Sequence, residues 1–460
     1  MQLDIHYYAT YAIARIAEIS PQDAHIIAYA AQFVDDSTEN NSRRHKDGGL
    51  LYGVATAHHL PKIFLSTIAK LKDKLFKKSV TDVMQRRLWI PFHFYPGNEG
   101  KNLSERLLCQ KNSKLVNEMF DNHIKHAHEF SFSLHLIGIA SHVYYDTFSH
   151  YGFSGVSSRN NVVNIRSIGS KDDEDKRKIE KRKKNFFRKY KSEFALKNWT
   201  PRKKKNFLKN LRSEFTFKHW TPEQRKEFFK NLRSEFTFKH WTPEQRTDFF
   251  KKLRLEFSPK NWSEKKGFFK KLGAEFTLKK WRIRKERFKS IGGQLAGGYL
   301  GHGGVCDFPD IPYLNWYFKY QDNNQASERN NIENCLEGAI HLYEKLKNFS
   351  EKYYNKSITH KLEKEKIKAI LETKGNRKFR CNLWKQEIEK SHLFQLEQED
   401  KQYLSYDPSD WENQKKSNFE KLNKSEDVSK LDIYKFHQAA DYHRHYTLKN
   451  LLPKHGIVIN

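Results

Sequence analysis

The chain has 460 residues, with 85 Lys and Arg against 55 Asp and Glu, a formal charge of +30. At roughly 100–200 residues per domain that length holds two or three domains, and a content of 37 % hydrophobic and 14 % aromatic residues excludes a disordered polyelectrolyte. The longest apolar runs, such as 134–140, fall short of the ~20 residues that span a bilayer. The start Met-Gln-Leu-Asp-Ile-His has neither the basic nor the apolar region of a secretory signal. The expectation is a cytoplasmic chain, or one translocated into a host cell as an effector, with any membrane contact peripheral.

The first element is an apolar helix, D-I-H-Y-Y-A-T-Y-A-I-A, with His6 in its first turn. A second starts at Pro21, runs through A-H-I-I-A-Y-A-A-Q-F-V, and closes on the paired carboxylates Asp35 and Asp36. Acids at that end oppose the helix dipole, so a compensating cation is expected beside them. A-T-A-H-H then offers His58 and His59, and W-I-P-F-H-F-Y-P-G offers His93. The cysteines Cys109, Cys306, Cys335 and Cys381 contain no C-x-x-C, so any metal must rest on His and carboxylate.

The densest histidine stretch is H-L-I-G-I-A-S-H-V-Y-Y-D-T-F-S-H from His135. Its period is helical, and His142, Asp146 and His150 stand four apart, so the three groups share one face. His135, seven residues before His142, falls on the same face. Imidazole and carboxylate in that arrangement suit a borderline metal such as zinc.

A basic block follows. Between Lys171 and Lys289 there are 40 Lys and Arg against 16 Asp and Glu, a surplus of +24 that leaves +6 for the rest. The block is an internal repeat: Trp199, Trp220, Trp241 and Trp262 recur every 21 residues and Trp281 follows after 19. In one unit Thr221 is a natural N-cap, Pro222 suits the first helical position and Gln224 completes a capping box. Phe228, Phe229, Leu232 and Phe236 then share a face, opposite Lys and Arg, which predicts a short basic amphipathic helix per repeat. Such an array can be a stacked helical scaffold, a dock for anionic membrane or, less favoured for want of a known module, a nucleic-acid surface.

Beyond the block, L-G-H-G-G-V-C-D-F-P-D-I-P-Y offers His302, Asp307 and Asp310, and capped helical segments continue from Ser327 to Leu452. Strand-like alternation is scarce, so the fold class expected is all-α. Three regions follow: residues 1–170 and 291–460 as two parts of a helical metal-binding domain, and 171–290 as inserted repeats.

The succession His6, Asp35/Asp36, His58, H-x-x-x-D-x-x-x-H, then His302 with Asp310 resembles the bacterial zinc metallophospholipase C family, whose helical fold is shared with single-strand-specific zinc nucleases. It looks closest to the phosphatidylcholine-hydrolysing branch without a secretory signal. The matching motifs, among them Q-F-V-D-D-S-T-E and P-F-H-F-Y-P-G, cover residues 1–160 and 295–320. The resemblance implies two or three zinc ions: Asp35, His58, His142 and Asp146 around one, His150, His302 and Asp310 around a second, His6 near a third. Where secreted members carry an N-terminal Trp ligand, this chain has Met-Gln. It further implies hydrolysis of a glycerophospholipid to diacylglycerol and phosphorylated headgroup, with Asp36 as the candidate for orienting water. A zinc nuclease on single strands and a non-catalytic repeat protein that binds a partner are the competing expectations; oligomeric state and headgroup are left open.

Overall fold

A computed structural model describes residues 1–38, 42–57, 85–156, 158–181, 301–321, 325–415 and 425–459. These belong to one compact unit assembled from residues 1–60, 79–183 and 292–460, so the chain's first and last segments pack together. The repeat tryptophans Trp199, Trp220, Trp241, Trp262 and Trp281 lie outside the described residues, and so does His58. Among the described residues no helix is long and apolar enough to cross a membrane.

The unit is mostly helical. A π-helical turn, Asp4–Ala9, runs into α1 (Thr10–Ile16), and every residue of the pair is buried, as its Ala, Ile and Tyr content requires. In α2 (Pro21–Asp36) the Ser20 hydroxyl accepts the Asp23 N–H and Pro21 opens the helix. Ser113 caps α3 (Lys114–Lys125) in the same way. The central element is α4 (Ser133–His150), buried on all sides except at Leu134 and packed against α2, α3, α5 (Asn331–Tyr353) and α8 (Asp432–His445). Two shorter helices, α6 (Lys364–Glu372) and α7 (Arg377–Glu389), complete the packing around α5 and the N-terminal turn.

Two contacts set where the candidate ligands stand. Gly138 of α4 meets α2 so closely that an added Cβ would lie 2.4 Å from the Ile27 carbonyl oxygen and 2.6 Å from Ala30 Cβ. One turn beyond this crossing lie Ala31 and His142; the next turn brings Asp35 and Asp146. The N-terminal turn is held from the other side by Arg380 of α7, whose buried guanidinium donates to Asp4 at 2.6 Å and to the Gln2 side chain at 2.7 Å. A second buried pair, Arg15 with Asp400 at 2.8 Å, ties α1 to the C-terminal half.

The all-α expectation needs one correction. Among the described residues, two antiparallel hairpins interrupt the helices: β1 (Arg43–Arg44) with β2 (Leu50–Leu51), and β3 (Asn315–Lys319) with β4 (Ala326–Asn330). In β3 the pattern N-W-Y-F-K buries Trp316 and Phe318 and turns its other side chains outward, the period of two that a half-buried strand shows. This hairpin builds a second small core with Phe94, Phe153, Val163, Val305 and Phe308. From β4, Arg329 donates to the Tyr151 carbonyl at 2.7 Å, a cation at the carboxyl end of α4 just past His150.

Candidate metal centre

Among the described residues, three His/Asp groups have ligand atoms within 4.8 Å of one another: His6, Asp35 and His142; His93, His142 and Asp146; His150, His302 and Asp310. They are contiguous, because Asp146 faces all of them. Its Oδ1 lies 3.2 Å from His6 Nε2, and its Oδ2 lies 3.2 Å from His142 Nε2, 3.5 Å from His150 Nδ1 and 3.6 Å from His93 Nδ1. Asp35 approaches His93 at 3.8 Å and His142 at 4.0 Å, and Asp310 approaches His150 at 3.1 Å and His302 at 3.7 Å.

Four of the imidazoles are held by main-chain carbonyls. His142 Nδ1–H donates to Ala31 O at 2.7 Å, His150 Nδ1–H to His93 O at 2.7 Å, His302 Nδ1–H to Cys306 O at 2.6 Å and His93 Nε2–H to Thr56 O at 3.0 Å. A carbonyl can only accept, so in each neutral ring the other nitrogen carries a lone pair, and those nitrogens face the cluster. His142 Nε2 and His93 Nδ1 therefore meet lone pair to lone pair at 3.3 Å. Among the described residues, both ring nitrogens of His6 and Oδ2 of Asp146 are buried without a hydrogen-bond partner. Buried polar atoms seldom go unsatisfied, and acceptors facing acceptors call for a cation between them. The site passes the test for a metal centre: oriented nitrogens and carboxylate oxygens in a buried pocket could hold metal ions.

The electrostatics agree. Burial alone would raise the Asp146 carboxyl, but His150, the Met1 amine, His142 and His6 outweigh it and hold Asp146 well below its usual range. Asp310 is lowered by the same balance, through the Met1 amine, His302 and His150. Asp35 is pushed up, chiefly by burial. The Met1 ammonium lies 2.7 Å from Asp146 and 3.5 Å from Asp310. Burial works against its charge, yet Asp146, Asp310 and Asp35 together raise it to about 11. A positive charge already sits where the three carboxylates converge.

Of the residues singled out in the sequence, the fold brings together His6, Asp35, His142, Asp146, His150, His302 and Asp310. His93 joins them; the sequence offered it beside His58 and His59 with no spacing to choose among the three. Asp36 is placed apart, its Oδ2 accepting from the Tyr406 hydroxyl at 2.7 Å and from Gln32 at 3.1 Å. His135 does not reach the cluster. It pairs with Asp432 at 3.3 Å beside Trp411, because seven residues on one helical face still span ~10 Å along the axis.

Fold and site define a mostly helical protein with buried His/Asp groups able to hold metal ions. The chain belongs to the family of unknown function DUF6765, whose model matches residues 1–451. No curated protein and no solved structure matches it.

Proposed function

We propose that the protein is a zinc-dependent phosphodiesterase of the phospholipase C type, cleaving a glycerophospholipid into diacylglycerol and phosphorylated headgroup. The observation that carries the metal part of this reading is the set of main-chain-locked histidines whose free nitrogens face one another and three aspartates. The substrate class follows from the order of those residues along the chain, which resembles the zinc metallophospholipases C.

In this reading His6, Asp35, His93, His142 and Asp146 hold metal at one end and His150, His302 and Asp310 at the other, with Asp146 between. Bound there, zinc activates water near pH ~7 and neutralises charge on a phosphoryl group. The carbonyls of Ala31, Thr56, His93 and Cys306 keep the imidazoles oriented. Phe94, stacked on His150 at 4.8 Å, and Trp89 beside His93 supply apolar walls that keep bulk water from that side. Asp35, with 32 % of its side chain exposed, and His302, with 19 %, mark the side where a phosphodiester enters. The basic repeats, with Trp199, Trp220, Trp241, Trp262 and Trp281, hold the enzyme on an anionic membrane.

The test is metal content by elemental analysis together with release of phosphorylated headgroup from mixed liposomes. Zinc should copurify, and chelation, His142→Ala or Asp146→Ala should each abolish turnover. Undiminished hydrolysis by metal-stripped protein would overturn the reading. The +24 of the repeat block favours one alternative, a nuclease on single strands. Cleavage of oligonucleotides but not liposomes, at matched enzyme and salt, would select it.

A further inference from the structure

We infer that the hairpin of β1 and β2 is a membrane-inserting element that seats the metal centre on an anionic lipid surface, independently of the basic repeats. The inference rests on the lipid reading above and adds which part of the catalytic unit meets the bilayer.

The base of the hairpin is bonded into the metal framework. The chain leaves the site at Asp35 and returns at Thr56, where the Thr56 N–H donates to Ser37 O at 2.9 Å and the Thr56 hydroxyl to Val34 O at 2.7 Å. The Ser37 hydroxyl donates to Val54 O at 3.1 Å, and the Thr56 carbonyl is the one that orients His93. At ~3.3 Å per residue, the nine residues from the turn at Asp47 back to Thr56 keep the tip within ~30 Å of that base.

The two faces of the hairpin differ. Leu51 points inward and packs with Val428 and Tyr434 in a small core. Its neighbours point outward: Leu50 is 51 % exposed and Tyr52 58 %. Antiparallel register sets Arg44 directly opposite Leu50, and Lys46 stands in the turn that Gly48 closes at φ 95°. Arg44 and Lys46 are exposed and form no ion pair among the described residues. One surface thus presents two large apolar side chains, one of them Tyr, beside two uncompensated cations. Tyr sits well at the headgroup level, apolar tips enter the acyl boundary, and Lys or Arg is drawn to acidic lipid. A nucleic acid would engage the cations but gain little from the exposed Leu, and the lipid surface is favoured because it takes the apolar tips and the cations together.

The experiment uses the full chain carrying an environment-sensitive fluorophore at position 50, through Leu50→Cys, with the unsubstituted chain labelled alike to supply background from the half-buried Cys306. On vesicles with about 30 mol % phosphatidylserine the label should brighten about threefold and be quenched by lipid-borne nitroxide, with a weaker response on phosphatidylcholine alone. Protein that sediments with vesicles while the label stays unquenched would overturn the inference, as would a label that responds to an acidic protein or an oligonucleotide but not to lipid. In parallel, Leu50→Asp with Tyr52→Asp should cut vesicle hydrolysis about tenfold and leave a soluble short-chain substrate within about twofold. Label insertion requires no turnover: insertion without hydrolysis sinks the phospholipase reading alone, and hydrolysis of the soluble substrate without insertion sinks the docking hairpin alone.

Discussion

Gly138→Ala is the sharpest test of how the helix crossing serves the metal centre, because two physical effects predict opposite signs. Intrinsic propensity favours Ala over Gly inside a helix by about 1 kcal/mol. Sterics oppose it: the new Cβ would stand 2.4 Å from Ile27 O and 2.6 Å from Ala30 Cβ, and the first of these is main chain that cannot swing aside. Ordinary contact needs the helices to part by nearly 1 Å, and overpacking of this kind costs about 1–3 kcal/mol. One turn away, the 2.7 Å bond from His142 to Ala31 O would lengthen past hydrogen-bonding range. The net expectation is a melting temperature lower by a few degrees, with metal affinity reduced about 10- to 100-fold by loss of the carbonyl that orients the ligand. Thermal denaturation by circular dichroism and competition against a zinc chelator measure the two terms. A variant that melts at or above the parent and keeps its metal would refute the reasoning.

The two ends of the cluster should be separable by near-isosteric substitution of amide for carboxylate. Asp146→Asn should remove all bound metal, because both carboxylate oxygens are shared, whereas Asp310→Asn should spare the ion near His93 and His142; equal losses in both variants, read by elemental analysis, would contradict this. Asp36→Ala should cost about 1–2 kcal/mol through the lost Tyr406 and Gln32 hydrogen bonds and change turnover less than tenfold; a hundredfold loss at full metal content would assign it to orienting water. Stability should fall with acid well above the carboxylate range. Burial pushes His443 down to about 4, burial with Lys415 pushes His437 down to about 3, and burial beside His443 holds His123 well below its ordinary value. The unfolded chain then binds more protons between about pH 6.5 and 4, so each of His437 and His443 withdraws on the order of 2 kcal/mol as pH drops through that window. A melting temperature that stays flat from about pH 7 to 4.5 would exclude it.

What the sequence made legible was the part of the site that obeys a local period. His142, Asp146 and His150 lie in one helix, and i, i+4 spacing alone places them together. Asp35 was legible as half of an acidic pair that opposes a helix dipole, and the cation it calls for is the Met1 amine. The choice of His93 depends on a tertiary event, the return of the chain to Ser37 that aims the Thr56 carbonyl, and nothing near His93 announces it. The β3–β4 hairpin was missed for another reason. Its alternation is only five residues long, and the sequence that follows it, Q-D-N-N-Q, carries none of the Gly or Pro dipeptides that mark a hairpin.

The charge of +30 and the histidines answer different questions about the same molecule. The residues that line the candidate metal centre come from the first turn, the end of α2, the segment around His93, the C-terminal half of α4 and the segment after residue 300, so no contiguous piece of chain can assemble it. Beside the Met1 ammonium, three carboxylates and the lone-pair nitrogens of neutral imidazoles converge there, an arrangement that opposes folding. The counterweights are visible: Arg380 grips the N-terminal turn through Asp4 and Gln2, Arg329 secures the end of α4, and the glycine crossing clamps α2 to α4. These contacts stand apart from the ligand atoms and leave the ligands' free nitrogens and oxygens unused. In a scaffold that holds acceptors against acceptors with separate cationic and apolar braces, an ion bound among them would complete the electrostatics of the core, and metal affinity and fold stability would then be linked at this site.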